Sequence, residues 1–234
     1  MLEYRAREQC APLRALYWQY IRRFTARQIV FFDETHAKPN DLRRKYGLSL
    51  RGLPAFMYVN SSAHGVGTGT CGMCAISLRG MLSTTVTTER VNNLLFMQTL
   101  EHEVYFCFLN YNALFFYRII FQVLPQMSPF PAPQSVLIMD NASTQDHDAV
   151  HALCARFGVI CVFLPPYSYD FNPIELSFHE GKQFIRRTWG LADDVLAERL
   201  YAGLTSITAE HAVNYYEHCG YMITPEDRQW AANI

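Results

Sequence analysis

Ser135-Val-Leu-Ile-Met-Asp140-Asn141-Ala142 opens, and Leu164-Pro-Pro-Tyr-Ser-Tyr-Asp170-Phe-Asn172-Pro173-Ile-Glu175 closes, the stretch whose reading decides the fold. The first string is an uninterrupted apolar run that stops on an acid, the pattern of a strand buried on both faces. The second ends where a helix begins, with Asn172 as N-cap, Pro173 at the first helical position and Glu175 in the first turn. Between them, Asn141-Ala-Ser143-Thr144 caps a helix running to about Phe157, Gly158 ends it, and residues 159–164 form another buried strand. Strand, helix and strand within about thirty residues make a parallel crossover unit. An earlier apolar strand, Gln28-Ile-Val-Phe-Phe-Asp33, also stops on an acid. Asp33, Asp140 and Glu175 thus arrive from separated elements, and three acids in one place would be a metal site.

At 234 residues the chain is long enough to bury a full core. Half its residues are hydrophobic and only 18% are charged, which argues for a folded globular protein and against disorder. A formal net charge of -1 means that any nucleic-acid binding must use local basic patches. The seven cysteines are scattered and read as reduced thiols rather than a disulfide framework. Cys71-Gly-Met-Cys74 has metal-ligand spacing, but no second CxxC or paired histidine answers it in the sequence, so it reads as a strand coincidence. No apolar signal core is visible near Met1, and secretion is not expected.

Residues 2–26 read as an amphipathic linker helix with Leu13, Leu16, Tyr17 and Tyr20 at helical spacing. After the first strand, residues 34–51 form a polar loop carrying Arg43, Arg44, Lys45 and Arg51, either a solvated basic loop or a phosphate-contacting arm beside Asp33. Strands near 55–60 and 69–78 complete an antiparallel three-stranded start, and residues 88–102 read as a helix capped by Thr87 or Thr88. Residues 104–122 look foreign: eight of these 19 are aromatic, against 14% of the whole chain. A membrane span there would place Asn110, Asn112 and Arg118 inside the bilayer. An ordinary aromatic-rich core helix is a second reading, and the preferred one is a retained intron of 19 codons, which transcript sequencing across this point tests. A last helical region spans 193–218 and closes at Gly220.

These strings resemble the catalytic domain of DDE transposases of the mariner and insertion-sequence kind. Val30-Phe-Phe-Asp33-Glu34-Thr with Arg44-Lys-Tyr46-Gly47 resembles the first-acid region, Leu137-Ile-Met-Asp140-Asn141-Ala the second, and Leu164 to Glu175 the third, with 34 residues between Asp140 and Glu175. Tyr169 and Phe178 depart from the family's usual proline and tryptophan, and no helix-turn-helix pair is read before residue 28. The resemblance implies an α/β, RNase H-like fold: a mixed sheet of antiparallel start plus parallel crossover strands, flanked by helices. It implies a linker helix at 1–27, a DDE catalytic domain at 28–190 and a helical extension at 191–234. It also implies DNA cleavage and strand transfer on transposon ends or target DNA, with homodimerisation open, no membrane, and a nuclear location for a eukaryotic source or a cytoplasmic one otherwise. The alternative is an inactive DNA-binding or interaction protein derived from such an element.

Clustered carboxylates repel one another unless cations neutralise them, and their hard oxygens suit Mg²⁺ or Mn²⁺. Two such ions about 3.5–4 Å apart would serve in-line phosphoryl displacement. On this reading Asp33 and Asp140 hold both ions and Glu175 completes the second. Each acid also has an ordinary role open to it: strand end, turn residue, or first-turn glutamate. Asp170 reads as a structural turn residue. Asn141, Lys182 and Arg186 join Arg43, Arg44, Lys45 and Arg51 as expected DNA contacts, with Lys182 two helical turns after Glu175 on one face.

Overall fold

A computed structural model describes residues 9–38, 47–56, 69–88, 122–140, 147–188 and 196–233. Its centre is a five-stranded mixed sheet in the order β3-β2-β1-β4-β5. The strands are β1 Ile29–Ala37, β2 Thr70–Ser77, β3 Gly80–Thr88, β4 Val136–Met139 and β5 Ile160–Phe163. β1, β2 and β3 pair antiparallel, whereas β4 runs parallel to β1 and β5 parallel to β4. Among the described residues the helices are α1 Ala11–Ile21, α2 His147–Arg156, α3 Ile174–Thr188, α4 Leu196–Thr205, α5 Ala209–His218 and α6 Pro225–Ala232.

Alternation along the strands gives each sheet face its own core. Phe31, Cys74, Ile76, Val136 and Ile138 face helical residues such as Ile174, Phe178, Leu200, Leu204 and Tyr216. Val30, Phe32, Met73, Leu137 and Met139 face Leu124, Val150 and Leu153 on the other side. Coverage on both faces is why Val136–Met139 is apolar without a break: all four residues are buried. Burying a side chain of this size stabilises the fold by roughly 1.5–3 kcal/mol. Tyr216 fastens α5 to the sheet, because its buried hydroxyl lies 3.0 Å from the Ile29 carbonyl and 3.1 Å from that of Ile76.

Several expectations need correction. The antiparallel start is present, but its third strand is Gly80–Thr88, which takes in Thr87 and Thr88. The Thr-rich run is β-branched, and the antiparallel ladder to β2 fixes it as extended. Residues 89–102 lie outside the described residues. Of the strand expected at 55–60, Ala55 and Phe56 are not in a strand, and the rest lies outside the described residues. Helix α1 begins only at Ala11, and Leu13 and Leu16 are exposed; Tyr17 and Ile21 are the residues it buries. The single helical region expected over 193–218 is two helices, because Thr208 accepts from the His211 backbone N–H and starts α5 afresh. The segment read as foreign, 104–122, lies outside the described residues except for Gln122. No described helix is long and apolar enough to cross a membrane.

Gly181, costly in a helix interior by propensity alone, has a packing reason. A Cβ there would stand 3.0 Å from Leu204, and one on Gly203 would stand 3.0 Å from the Gly181 carbonyl oxygen and 3.2 Å from its Cα. The two glycines let α3 and α4 touch backbone to backbone. Gly203→Ala is therefore expected to destabilise the protein by about 1–3 kcal/mol through overpacking, despite a gain of up to about 1 kcal/mol in helix propensity. Chemical denaturation of the variant checks this, and an unchanged midpoint would contradict the close crossing.

Candidate functional site

The three parallel strands β1, β4 and β5 all point their carboxyl ends to the same edge of the sheet. β1 and β4 stay in register as far as Phe32 and Met139, so Asp33 and Asp140 are the next residues on neighbouring strands. β5 leads through Leu164, Pro165 and Pro166 into a 3₁₀ turn, Tyr169–Phe171, and then into α3 with Glu175 in its first turn. Crevices outside the carboxyl ends of parallel strands are where α/β sheets place ligands. Asp33, Asp140 and Glu175 line one such cleft of about 380 Å³, together with Pro165, Tyr169 and Asn172.

The cleft's electrostatics are those of crowded like charges. Burial, and then the charges of Asp140 and Glu175, push the Asp33 carboxyl up to about 8, although the Glu34 backbone N–H donates to Asp33 Oδ1 at 2.7 Å and opposes the shift. Glu175 is also raised, first by desolvation; Lys182 opposes this and Asp140 adds to it. The sequence-based placement of Lys182 on the Glu175 face of the helix agrees with that coupling.

Asn172 departs from its expected role. It is buried, and its side chain does not cap α3. Its Nδ2 donates to Asp33 Oδ2 at 2.7 Å, and its Oδ1 has no hydrogen-bond partner among the described residues. A capping preference is readable from sequence, whereas a bond to a residue 139 positions away is not. The orphaned oxygen adds a hard, uncharged donor beside the carboxylates and fits a hydrated divalent cation.

Asp170 lines the turn without joining the acids. Arg14 Nη1 and Nη2 donate to its two carboxylate oxygens at 2.8 and 2.6 Å, Nη1 also reaches Ser168 Oγ at 3.0 Å, and the guanidinium lies 3.8 Å over the Phe171 ring. The turn is held from behind as well, since the Tyr221 hydroxyl donates to the Phe171 carbonyl at 2.8 Å and lies 2.6 Å from that of Tyr17. Tyr221→Phe is expected to cost about 1–3 kcal/mol by leaving these buried groups unpaired, and it would loosen the turn that aims Asn172 at Asp33. Denaturation midpoints of the variant and the parent chain check this.

Among the other expected contacts, Arg51 is exposed, while Lys182 and Arg186 are partly buried along α3. Arg43, Arg44, Lys45 and Asn141 lie outside the described residues. The CxxC pair is no ligand pair, because Cys71 and Cys74 belong to the cores on opposite faces of the sheet. Cys71 is nevertheless answered by a histidine across the ladder, His36, a juxtaposition that the sequence reading missed.

The profile of the DDE superfamily endonucleases matches residues 28–194, and the chain belongs to that family. No curated protein sequence matches it. A crystal structure of the Mos1 mariner paired end complex with Mn is similar at 16% identity and a TM-score of 0.51, over 99% of this chain and 64% of that one. The chain therefore spans just under two thirds of that relative's length. A Mos1 transposase paired-end complex with left transposon end matches at 16% identity and a TM-score of 0.45, over 96% of this chain and 67% of that one. The catalytic core domain of BIV integrase matches at 14% identity and a TM-score of 0.42, over 84% of this chain and 99% of that one. The fold is RNase H-like, a mixed five-stranded sheet flanked by helices.

Proposed function

We propose that this chain is the catalytic domain of a metal-dependent DNA endonuclease and strand transferase, running over 28–190 with the helices of 191–234 as its extension. One observation carries the reading: Asp33, Asp140 and Glu175 converge on one cleft at the carboxyl ends of three parallel strands. Asp33 and Asp140 would hold two Mg²⁺ or Mn²⁺ ions between them, and Glu175 would complete the second. Such ions supply activation of the attacking water and charge neutralisation at the leaving oxygen of an in-line displacement.

The chain's own groups do the rest. Asn172 fixes the Asp33 carboxylate by its hydrogen bond and keeps it turned into the cleft. Water adds to phosphorus, the P–O3′ bond breaks, and the products are a 5′-phosphate and a 3′-hydroxyl, the latter being the nucleophile for strand transfer. Lys182, Arg186 and Arg51 meet the DNA backbone, joined by Arg43, Arg44, Lys45 and Asn141 from their positions in the sequence. A eukaryotic source would place this activity in the nucleus.

Nicking of supercoiled plasmid by the purified full chain, and by a form lacking 104–122, tests the reading. The expected result is nicked circles that require Mg²⁺ or Mn²⁺ and disappear with EDTA. Nicking by the shortened form alone would support the intron reading as well. Folded protein that binds plasmid without nicking it in either form would overturn the catalytic reading and favour a DNA-binding protein derived from such an element.

A further inference from the structure

The edge of β1 beyond Phe32 carries a second set of ligating side chains, with chemistry unlike that of the acids. Asp33 and Thr35 face α3 and α4: Asn172 reaches Asp33, and Thr35 packs where a Cβ on Gly72 would meet Thr35, Leu200 and Leu204. Strand alternation turns Glu34 and His36 to the opposite face, the one to which Cys71 belongs with Val30 and Phe32. His36 stands directly across the antiparallel ladder from Cys71, and Glu34 is two residues back on the same face. Opposed side chains in such a pair have Cβ atoms about 4.5–5.5 Å apart. Among the described residues this is the group of three whose ligand atoms all lie within 4.8 Å of one another. His36 Nε2 and Glu34 Oε1 are already 3.6 Å apart.

We infer that Glu34, His36 and Cys71 form a site for a soft divalent cation of the Zn²⁺ class, separate from the hard-cation site of the acids. A thiolate, an imidazole and a carboxylate are the donor set that Zn²⁺ takes, at about 2.3, 2.0–2.1 and 2.0–2.2 Å, and a thiolate is a poor ligand for Mg²⁺. Donors around a tetrahedral ion at those lengths lie roughly 3.3–3.7 Å apart. The spacing here closes to that range through rotamer changes of Glu34 and His36, whose side chains are about half exposed, against a Cys71 held in the core. Binding releases the Cys71 thiol proton to solvent. Glu34 and His36 also line the acid cleft, from which a fourth ligand of a tetrahedral ion would enter. β1 thus carries oxygen donors alone on one face and a mixed oxygen, nitrogen and sulfur set on the other. Glu34, next to Asp33 in the chain, belongs to this second group.

The inference does not depend on nuclease activity, and its test reads metal binding. The reduced, metal-stripped full chain is titrated with Co²⁺ as a spectroscopic stand-in for Zn²⁺. The expected result is a thiolate-to-cobalt charge-transfer band in the near ultraviolet with tetrahedral visible absorption. Stoichiometric Zn²⁺ should remove both, and excess Mg²⁺ should not. Cys71→Ser should abolish the band and weaken Zn²⁺ binding more than about 100-fold, beyond the 10–100-fold cost of removing an outer partner alone. His36→Ala, at an exposed position, should weaken Zn²⁺ binding at least about tenfold. Asp140→Asn should leave the band in place. Absence of the band, or its survival in Cys71→Ser through another cysteine, would overturn the inference. If Cys71→Ser does not fold, His36→Ala decides, and unchanged Zn²⁺ affinity there would overturn it equally.

Discussion

Asp140→Asn and Glu175→Gln are each expected to lower the rate of cation-dependent plasmid nicking by about 10²–10³-fold while leaving the fold intact. The size follows from where these groups sit. On the proposed function each carboxylate would supply charge to a cation needed at the developing charges of the displacement, and losing one charge-stabilising contact at such a site costs about 10²–10³-fold. A thousandfold corresponds to about 4 kcal/mol of barrier. The isosteric amide keeps size and polarity but removes the charge, so circular dichroism and the melting midpoint should show a folded variant. Rate constants measured with Mg²⁺ and with Mn²⁺ check the prediction. A loss of less than about tenfold in both variants would mean that these acids are not the metal ligands.

The second large effect concerns stability. The Asp33 carboxyl stands at about 8 against an ordinary 3.8, so the folded chain holds this proton more tightly than the unfolded chain does. The stabilising contribution is therefore fully present below about pH 4 and is lost as pH rises through about 8. Without divalent cations, the melting midpoint should fall between pH 5 and pH 8.5 as the cleft is forced to carry crowded negative charge. Asp33→Asn removes that charge. The Asn172 amide can turn its unpartnered oxygen toward the new side-chain NH₂, so the variant keeps its contacts. In EDTA above pH 8, Asp33→Asn is expected to melt about 4–8 °C above the parent chain, for a gain of about 2 kcal/mol. Mn²⁺ should raise the parent's midpoint and leave the variant's nearly unchanged. Scanning calorimetry with and without EDTA checks both signs. A site that sacrifices stability for function is a common result of crowded active-site charge.

How much of this was legible in the sequence depends on whether the determining contact was local. β1, β4 and β5 were readable because an apolar run covered on both faces needs no partner to reveal itself, and each of the acids Asp33 and Asp140 follows such a run. Glu175 was readable from Asn172-Pro173 at a helix entrance. The crossover from β4 through α2 to β5 followed from Gly158, whose φ of +69° ends the helix. Where the decisive partner was distant, the reading failed. Asn172 has the composition of a cap, and only the approach of β1 turns it toward Asp33. Asp170 could be assigned to the turn, but nothing near it announced Arg14, 156 residues earlier. Gly181 is costly by helix propensity alone, and only the distant Gly203, which comes against it in the fold, supplies its reason. The Thr-rich strand β3 lost to a capping pattern because its pairing with β2 is set by tertiary packing. His36 and Cys71 are 35 positions apart and meet only through the ladder's register.

The most direct measurement is Mn²⁺ binding to the full chain, followed by paramagnetic resonance of the free ion, for the parent, Asp140→Asn and Cys71→Ser. The expected result is Mn²⁺ binding that Mg²⁺ displaces, that Asp140→Asn removes, and that Cys71→Ser leaves in place. Equal Mn²⁺ binding by the parent and Asp140→Asn would contradict the claim that Asp33, Asp140 and Glu175 form one metal site.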